Sequence, residues 1–430
     1  MRLWQYYVGV RLAIYDLLLL AFIAYYFIRA ARRGRIPLPM RELRPALLWL
    51  CGIVAVSTLS FFLLDFNLAP ISTSQFWKRL AELTFQTVGL ISVVCYLSES
   101  PASVTRRILQ IYILGAAASS FYSFFEVGCA YLGHDLGKAI FGRISTYPPD
   151  FDFSAPFYFQ WDIFYRAVGF AGVDAQATYT ASVIPLLVLA RPFRKTVVNL
   201  TLAGICIAGT AITFSRNGTL SLLLALMLYG AIRPRLFVRL LLKITIVCIP
   251  VLTAALLFSS GAREMLSTRI YSSLGEVGMG RLEIYLPVWK SIVQHPFGHG
   301  LNQFSVVIMN TDEIDLTKVS ILYYNWDDLR IREAYANVHN NWLNWLFEGG
   351  WPLMLFECGY FVSLIAASWR TRSDLGIAIV CSIMLLLVSG LFNMTLSQFS
   401  SDLFFIIATT AAVKLSKKSL EEPVTKRAVE

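Results

Sequence analysis

The sequence is poor in charged residues, has few histidines and contains no closely paired cysteines. Charged residues make up 15% of its 430 residues, whereas soluble domains average about 25%. Hydrophobic residues make up 57%, and the mean hydropathy is +0.60. This composition excludes an ordinary soluble domain and predicts an integral membrane protein.

The cysteines and histidines argue against the common metal sites. None of the seven cysteines belongs to a C-x-x-C pair, and all lie in or beside apolar runs, which is typical of small buried hydrophobic residues. His295 and His299 are close in sequence, but no thiolate pair accompanies them. We therefore expect no disulfide framework and no bound metal.

Long apolar runs alternate with short polar segments along the whole chain. A spanning helix needs about 20 mostly apolar residues, and about eleven segments meet this condition, with twelve as an alternative count. The sequence predicts an all-α fold, a polytopic transmembrane helical bundle in which residues 1–430 form one integral membrane domain. The predicted spans are residues 10–29, 44–64, 77–97, 107–130, 173–190, 196–214, 218–232, 236–258, 341–368, 374–391 and 398–414.

Basic clusters between these runs predict how the bundle is oriented. If the N-terminus lies outside, each cluster falls on the cytoplasmic side, as the positive-inside rule requires. We therefore interpret the formal net charge of +10 as a topology signal and not as a nucleic-acid footprint. This topology predicts an outer loop at 131–172, a large outer loop with short helices at 259–340, and a cytoplasmic tail at 415–430. The clusters lie at residues 29–44, 106–107, 191–195, 233–239, 370–372 and 414–427.

Two features of the outer side have more than one interpretation. Residues 281–293 place Leu282, Tyr285, Trp289, Ile292 and Val293 on one helical face, which predicts a helix on the membrane surface or one capping the bundle. Several polar residues lie near helix ends on the same side. They indicate either the ordinary polarity of helix ends or a water-filled cavity that opens outward. These polar residues are Asp16, Asp65, Glu82, Glu126, Asp174, Gln176, Arg216 and Asp402.

Three stretches together carry a family resemblance. Residues 215–218 read Ser-Arg-Asn-Gly, residues 280–300 run from Gly-Arg-Leu-Glu to His-Pro-Phe-Gly-His-Gly, and residues 339–352 run from His-Asn to Gly-Trp-Pro. In this order the set resembles the bacterial O-antigen polymerase and O-antigen ligase superfamily of membrane glycosyltransferases. His299 departs from the pattern, because the family commonly has an apolar residue there. A fourth segment before Gln176 is degenerate, so no role is carried onto Gln176.

The resemblance implies a glycan donor on undecaprenyl diphosphate, an acceptor sugar hydroxyl, no metal and no cofactor. Cleaving the sugar–diphosphate bond leaves negative charge on phosphate, which the planar guanidinium of arginine suits. Arg216 and Arg281 are the candidates, although each could instead be a charge at a helix end or on an exposed helix face. His339 is the candidate to engage the hydroxyl as a base or by hydrogen bonding. An interfacial structural histidine is the alternative, and we interpret Glu348 as structural pairing.

Several functions remain open at this stage. A surface-polysaccharide polymerase is slightly favoured, with another lipid-linked glycan as acceptor and a chain-length regulator as a further partner. An O-antigen ligase acting on lipid A-core is the alternative within the family. A transporter of lipid-linked oligosaccharides is the alternative from another class, but the inverted repeats common in transporters are not visible. The expected location is the bacterial inner membrane, with the active site on the periplasmic face.

Overall fold

A computed structural model describes residues 5–8, 10–63, 69–132, 173–213, 215–232, 277–304, 340–391 and 399–421, with a few isolated positions besides. In these residues the predicted all-α fold is confirmed, except for one short antiparallel hairpin of β1 (Gln5–Val8) and β2 (Val10–Ala13). The hairpin shortens the first predicted span, because residues 10–13 pair as a strand. The first helix therefore begins at Ile14.

The helices of the first half of the chain are mostly long. They are α1 (Ile14–Arg33), α2 (Arg44–Leu59) with a 3-10 turn at Ser60–Leu63, α3 (Ala69–Glu99) and α4 (Ala102–Tyr131). Residues 34–43 link α1 to α2, and residues 100–101 link α3 to α4.

The helices that follow residue 172 are shorter, apart from α9 and α11. They are α5 (Val173–Pro185) with a π turn at Leu186–Ala190, α6 (Thr196–Ile212), α7 (Arg216–Ile232), α8 (Val277–Gln294), α9 (Asn341–Arg370), α10 (Asp374–Ser389) and α11 (Phe399–Glu421). The last of these takes in the first part of the predicted C-terminal tail.

Every predicted span except residues 236–258 overlaps one of these helices, and that span lies outside the described residues apart from Val238. Within the described residues, four helices are long and apolar enough to cross a membrane: Arg44–Leu63, Phe76–Glu99, Ala102–Cys129 and Asn341–Arg370. The protein is therefore a membrane protein. The total of about eleven spans stays a prediction, as do the two outer loops, which fall largely outside the described residues.

The two helices α2 and α9 pack closely through reciprocal glycine–aromatic contacts. A Cβ on Gly52 would meet the ring of Phe356, and one on Gly359 would meet the ring of Trp49. The two rings also meet edge to face, with centroids 5.2 Å apart. Small residues allow such close approach between helices in a membrane, where van der Waals packing is a main source of association. This packing makes α9 a central element of the bundle.

Four of the basic clusters meet at one end of the bundle, which we call the basic end. Arg33 pairs with Glu99 at 2.8 Å, and Lys417 pairs with Glu42 at 2.8 Å. The Arg106 guanidinium donates to the Pro192 carbonyl at 2.9 Å. Loops distant in sequence are thus linked here by charged side chains, as expected for clusters that share one side of the bundle.

Candidate functional site

The three predicted site residues differ in how much of their surroundings is described. Arg216 is the first residue of α7, and Arg281 lies in the first half of α8. The backbones of both are described, but their side chains are not. His339 lies outside the described residues, directly before Asn340. The geometry of the candidate site therefore rests on the residues next to these three.

Asn340 fixes the start of α9 and with it the point where the chain leaves His339. Its extended backbone stops the helix, and its side-chain carbonyl accepts the backbone N–H groups of Trp342 at 2.9 Å and Leu343 at 3.1 Å. This is the hydrogen-bonding pattern of an N-cap, for which asparagine is a preferred residue. The His-Asn-Asn sequence therefore places His339 immediately outside the first turn of α9.

A comparable cap starts α7. The Ser215 hydroxyl accepts the backbone N–H of Gly218 at 3.3 Å, and the Ser215 backbone N–H donates to the Thr213 hydroxyl at 3.2 Å. Gly218 then allows α7 to approach α5, because a Cβ at this position would lie 2.6 Å from that of Ala177. The Ser-Arg-Asn-Gly sequence thus places the Arg216 backbone in the first turn of a closely packed helix.

The starts of α7 and α9 are both held by the end of α10. The Asn217 side-chain amide donates to the Ser389 hydroxyl at 2.8 Å and to the Ser389 carbonyl at 3.2 Å. The next residue, Gly390, accepts the backbone N–H of Asn341 at 2.8 Å. The structure therefore brings the neighbours of Arg216 and His339 to adjacent positions at one end of the bundle.

The second and third family stretches are joined main chain to main chain. His299 N donates to Phe347 O at 2.8 Å, Gly300 N to Glu348 O at 2.8 Å, and Trp351 N to Pro296 O at 3.0 Å. The turn at residues 295–300 thus follows the backbone of α9 at its kink. We call this end of the bundle the motif end, and it consists of residues 215–218, 295–300, 340–351 and 389–390.

Two glycines make this backbone contact possible. Gly350 has φ +63° and ψ −161°, a conformation that is essentially restricted to glycine. A Cβ there would meet the Pro296 carbonyl and the Phe297 backbone, and one on Gly298 would lie 2.6 Å from the Glu348 carbonyl oxygen. The Gly-rich character of both stretches therefore has a steric cause.

Helix α8 packs on the first half of α9, although not entirely through the predicted face. Val288 and Ile292 are buried against Phe304, Leu346 and Phe347, and Tyr285 packs beside them. Trp289 and Val293 are exposed instead. The buried stripe therefore includes Val288, which the predicted face lacked, because partner residues such as Phe347 lie far along the chain.

His299 behaves as an apolar residue in this packing. Its ring stacks on Phe347 with centroids 4.5 Å apart, and its Nε2 is hydrogen-bonded to the Ser291 hydroxyl at 2.7 Å. Burial, and then the neighbouring His295, lower the pKa of His299 to about 4. A neutral imidazole with its nitrogen satisfied explains how a histidine occupies a position where the family commonly has an apolar residue.

The comparison with known families covers most of the residues of the motif end. Residues 201–358 match the family described as O-Antigen ligase. The resemblance to the O-antigen ligase and polymerase superfamily is confirmed. No curated protein matches the chain significantly. The matched segment runs from α6 into α9 and so contains Arg216, Arg281 and His339, whereas α5 and α10 lie outside it.

A buried polar seam beside the matched segment was missed by sequence reasoning. The Ser119 hydroxyl donates to the Gln176 carbonyl oxygen at 2.7 Å, the Thr178 and Ser389 hydroxyls are 3.0 Å apart, and those of Thr180 and Thr210 are 2.8 Å apart. All of these residues are almost fully buried. Polar residues at 176, 178, 180 and 182 of an apolar helix are the signal that could have indicated this seam.

A mixed charged cluster involves Arg79 of α3 and Glu348 of α9. Arg79 pairs with Glu82 at 2.8 Å and is also within electrostatic reach of Glu348. The Glu348 carboxyl is hydrogen-bonded to the Asn344 side chain and to the Asn302 backbone. These contacts support the interpretation of Glu348 as structural pairing, since its partners connect α9 to two other segments.

Proposed function

We propose that this protein is a membrane glycosyltransferase that moves an oligosaccharide from undecaprenyl diphosphate to an acceptor sugar hydroxyl. The observation that carries the proposal is the O-antigen ligase-type segment whose helix starts, at α7 and α9, are held side by side at one end of the bundle. The proposed location is the bacterial inner membrane. The proposed orientation has the N-terminus outside, the C-terminus in the cytoplasm and the motif end in the periplasm.

The proposed reaction is a single inverting displacement. The acceptor hydroxyl oxygen forms a bond to the anomeric carbon of the donor, and the bond from that carbon to the diphosphate oxygen breaks. Undecaprenyl diphosphate leaves with the electron pair, and the hydroxyl proton passes to the His339 imidazole. Arg216 and Arg281 hold the diphosphate and stabilise its growing negative charge. Two fixed guanidinium groups supply this stabilisation, so we propose no metal and no cofactor.

The acceptor that we propose is another lipid-linked glycan, which makes the protein a surface-polysaccharide polymerase. The description of the matching family favours an O-antigen ligase as the second candidate, with lipid A-core as acceptor. The length of the product separates the two. A polymerase yields a ladder of glycans on the lipid carrier, whereas a ligase yields a shifted lipopolysaccharide band. For the polymerase, a chain-length regulator is the proposed protein partner.

Alanine variants of the three site residues test the reaction itself. Purified protein is incubated with lipid-linked donor and acceptor, and product is quantified for Arg216→Ala, Arg281→Ala and His339→Ala. Loss of general acid–base catalysis costs about 10²–10⁴-fold in rate, so His339→Ala is expected to fall to background, and so is Arg216→Ala. Arg194→Ala and His134→Ala serve as controls. Wild-type turnover in both Arg216→Ala and His339→Ala would overturn the mechanism, and transport without donor cleavage in liposomes would favour a transporter.

The pH profile separates a base from a positioning group at His339. If the imidazole accepts the proton, activity falls as pH is lowered through the ordinary histidine range near about 6.5. His299 does not titrate in that range, because its pKa lies at about 4. A profile that stays flat between about pH 5 and 8 would leave His339 with a positioning role alone.

A further inference from the structure

We propose that Ser389 is a positioning residue that sets the start of α7, which carries Arg216, against the start of α9, which follows His339. The inference rests on the proposed function, because it assigns Ser389 a part in that same transfer reaction. Ser389 does not belong to any of the three family stretches. It lies at the C-terminal end of α10, outside the segment that matches the family.

The Ser389 side chain joins three helices at one point. Its hydroxyl accepts the Asn217 side-chain amide of α7 at 2.8 Å and lies 3.0 Å from the Thr178 hydroxyl of α5. Ser389 itself is fully buried. Hydrogen bonds removed from water are costly to leave unmade, so the Asn217 amide keeps this geometry while its partners are present.

The main chain of the same turn holds α9. The Gly390 carbonyl accepts the backbone N–H of Asn341 at 2.8 Å, and the Leu387 carbonyl accepts the indole N–H of Trp342 at 3.1 Å. One turn of α10 therefore binds α7 through the Ser389 hydroxyl at 2.8 Å and, more weakly, the Ser389 carbonyl at 3.2 Å, and it binds α9 through backbone carbonyls. Both helix starts are attached in this way to a single turn of α10.

The separation between the two helix starts matters because transfer needs two groups at a defined distance. The arginine must face the diphosphate while the histidine faces the attacking hydroxyl on the other side of the same anomeric carbon. A misplacement of about 1 Å can cost about 10²-fold in rate. A residue that sets the distance is therefore expected to change kcat more than the binding of the donor.

The experiment compares Ser389→Ala with Ser382→Ala in purified full-length protein. Ser382 is a matched control, since it is also fully buried on α10 and its hydroxyl donates to the Ser182 carbonyl at 2.6 Å and the Ala378 carbonyl at 3.0 Å. We expect Ser389→Ala to lower kcat by about tenfold to a hundredfold, with less than about a threefold change in the KM for the lipid-linked donor. Ser382→Ala is expected to keep kcat within about twofold of wild type.

A double-mutant cycle of Ser389→Ala and Thr178→Val adds a test that does not depend on Ser389→Ala alone. Valine keeps the shape of threonine and removes its hydroxyl, so Thr178→Val is expected to lower kcat severalfold. The double variant is expected to be no slower than Ser389→Ala, because the two side chains act through one contact. Should Ser389→Ala fail to fold, the kcat of Thr178→Val decides alone.

The outcomes separate this inference from the proposed function. Wild-type kcat in Ser389→Ala or, where it does not fold, in Thr178→Val would overturn the positioning role, and so would an equal loss in Ser382→Ala. Neither result would affect the proposed function as long as Arg216→Ala and His339→Ala remain inactive. Activity in those two variants would instead overturn the proposed function first.

Discussion

The two ends of the bundle are built from different kinds of contact. At the basic end, charged side chains such as Arg33, Glu99 and Lys417 meet across loops, and the Arg33 side chain is 42% exposed. At the motif end, backbone groups of two Gly-containing stretches are hydrogen-bonded to each other at 2.8–3.0 Å. Long side chains adapt when a neighbour changes, whereas a backbone contact leaves no room for an added atom. The motif end should therefore be the less tolerant of substitution.

The difference between the two ends also indicates where the distance between helices must be held within narrow limits. Exposed ion pairs contribute about 0–1 kcal/mol each, and in the proposed topology their charges also orient the chain in the membrane. Main-chain contacts do not move with rotamer changes, so they fix the distance between elements. A reaction centre benefits from main-chain contacts, because they hold its groups at fixed distances. The proposed site lies at the motif end, where such contacts are found.

The largest effect is expected from a pair of glycine substitutions that separates close packing from backbone strain. Gly350 and Gly34 both have φ +63°, but only Gly350 faces backbone atoms, while nothing lies within 4 Å of a Cβ on Gly34. Gly350→Ala combines backbone strain of about 1–3 kcal/mol with overpacking of similar size, so little folded protein is expected. Gly34→Ala should cost about 1–2 kcal/mol.

The readout for this pair is the monodisperse fraction in detergent together with the apparent Tm. Both variants are expressed and purified in parallel with wild type. Equal losses in the two variants would contradict the comparison, because backbone strain alone would then explain the result.

A smaller effect is expected from pH acting on His299. Because its pKa of about 4 in the folded protein lies below the ordinary value of about 6.5, the unfolded chain binds the proton more readily. The contribution of neutral His299 to the free energy of unfolding is therefore complete above about pH 6.5, and it is lost as pH falls toward 4. Apparent Tm measured across this window should fall in wild type and fall less in His299→Gln, which cannot titrate. Parallel curves for the two proteins would refute the assignment.

The smallest effect is expected at the basic end. Glu99→Gln removes the partner of Arg33 at 2.8 Å and of Arg35 at 3.6 Å. Since these groups are partly exposed, the expected loss is about 0–1 kcal/mol and should shrink further at high salt. Thermal unfolding of Glu99→Gln and wild type at low and high salt measures the loss of stability and its dependence on salt. A loss as large as that of Gly350→Ala would erase the distinction between the two ends.

Much of the helix order could be predicted from local sequence. Apolar runs of sufficient length placed a helix at each predicted span that the structure describes, and Asn340 and Ser215 lie at helix starts where such residues serve as caps. The buried face of α8 was predicted only in part, because Phe304 and Phe347 select it from elsewhere in the chain. The hairpin at residues 5–13 was missed because its segment is apolar enough to pass for the start of a span.

The sequence by itself determined that this is a helical membrane protein and that residues 201–358 resemble the O-antigen ligase and polymerase superfamily, because hydropathy and short motifs can be recognised among neighbouring residues. Only the tertiary structure decided that the turn at residues 295–300 lies against the kink at Gly350, and that Ser389 and Gly390 hold the starts of α7 and α9. These contacts join residues more than forty positions apart, as in the pair Asn217–Ser389 with a separation of 172. Such pairings depend on how the helices pack in three dimensions, and no local pattern encodes that packing.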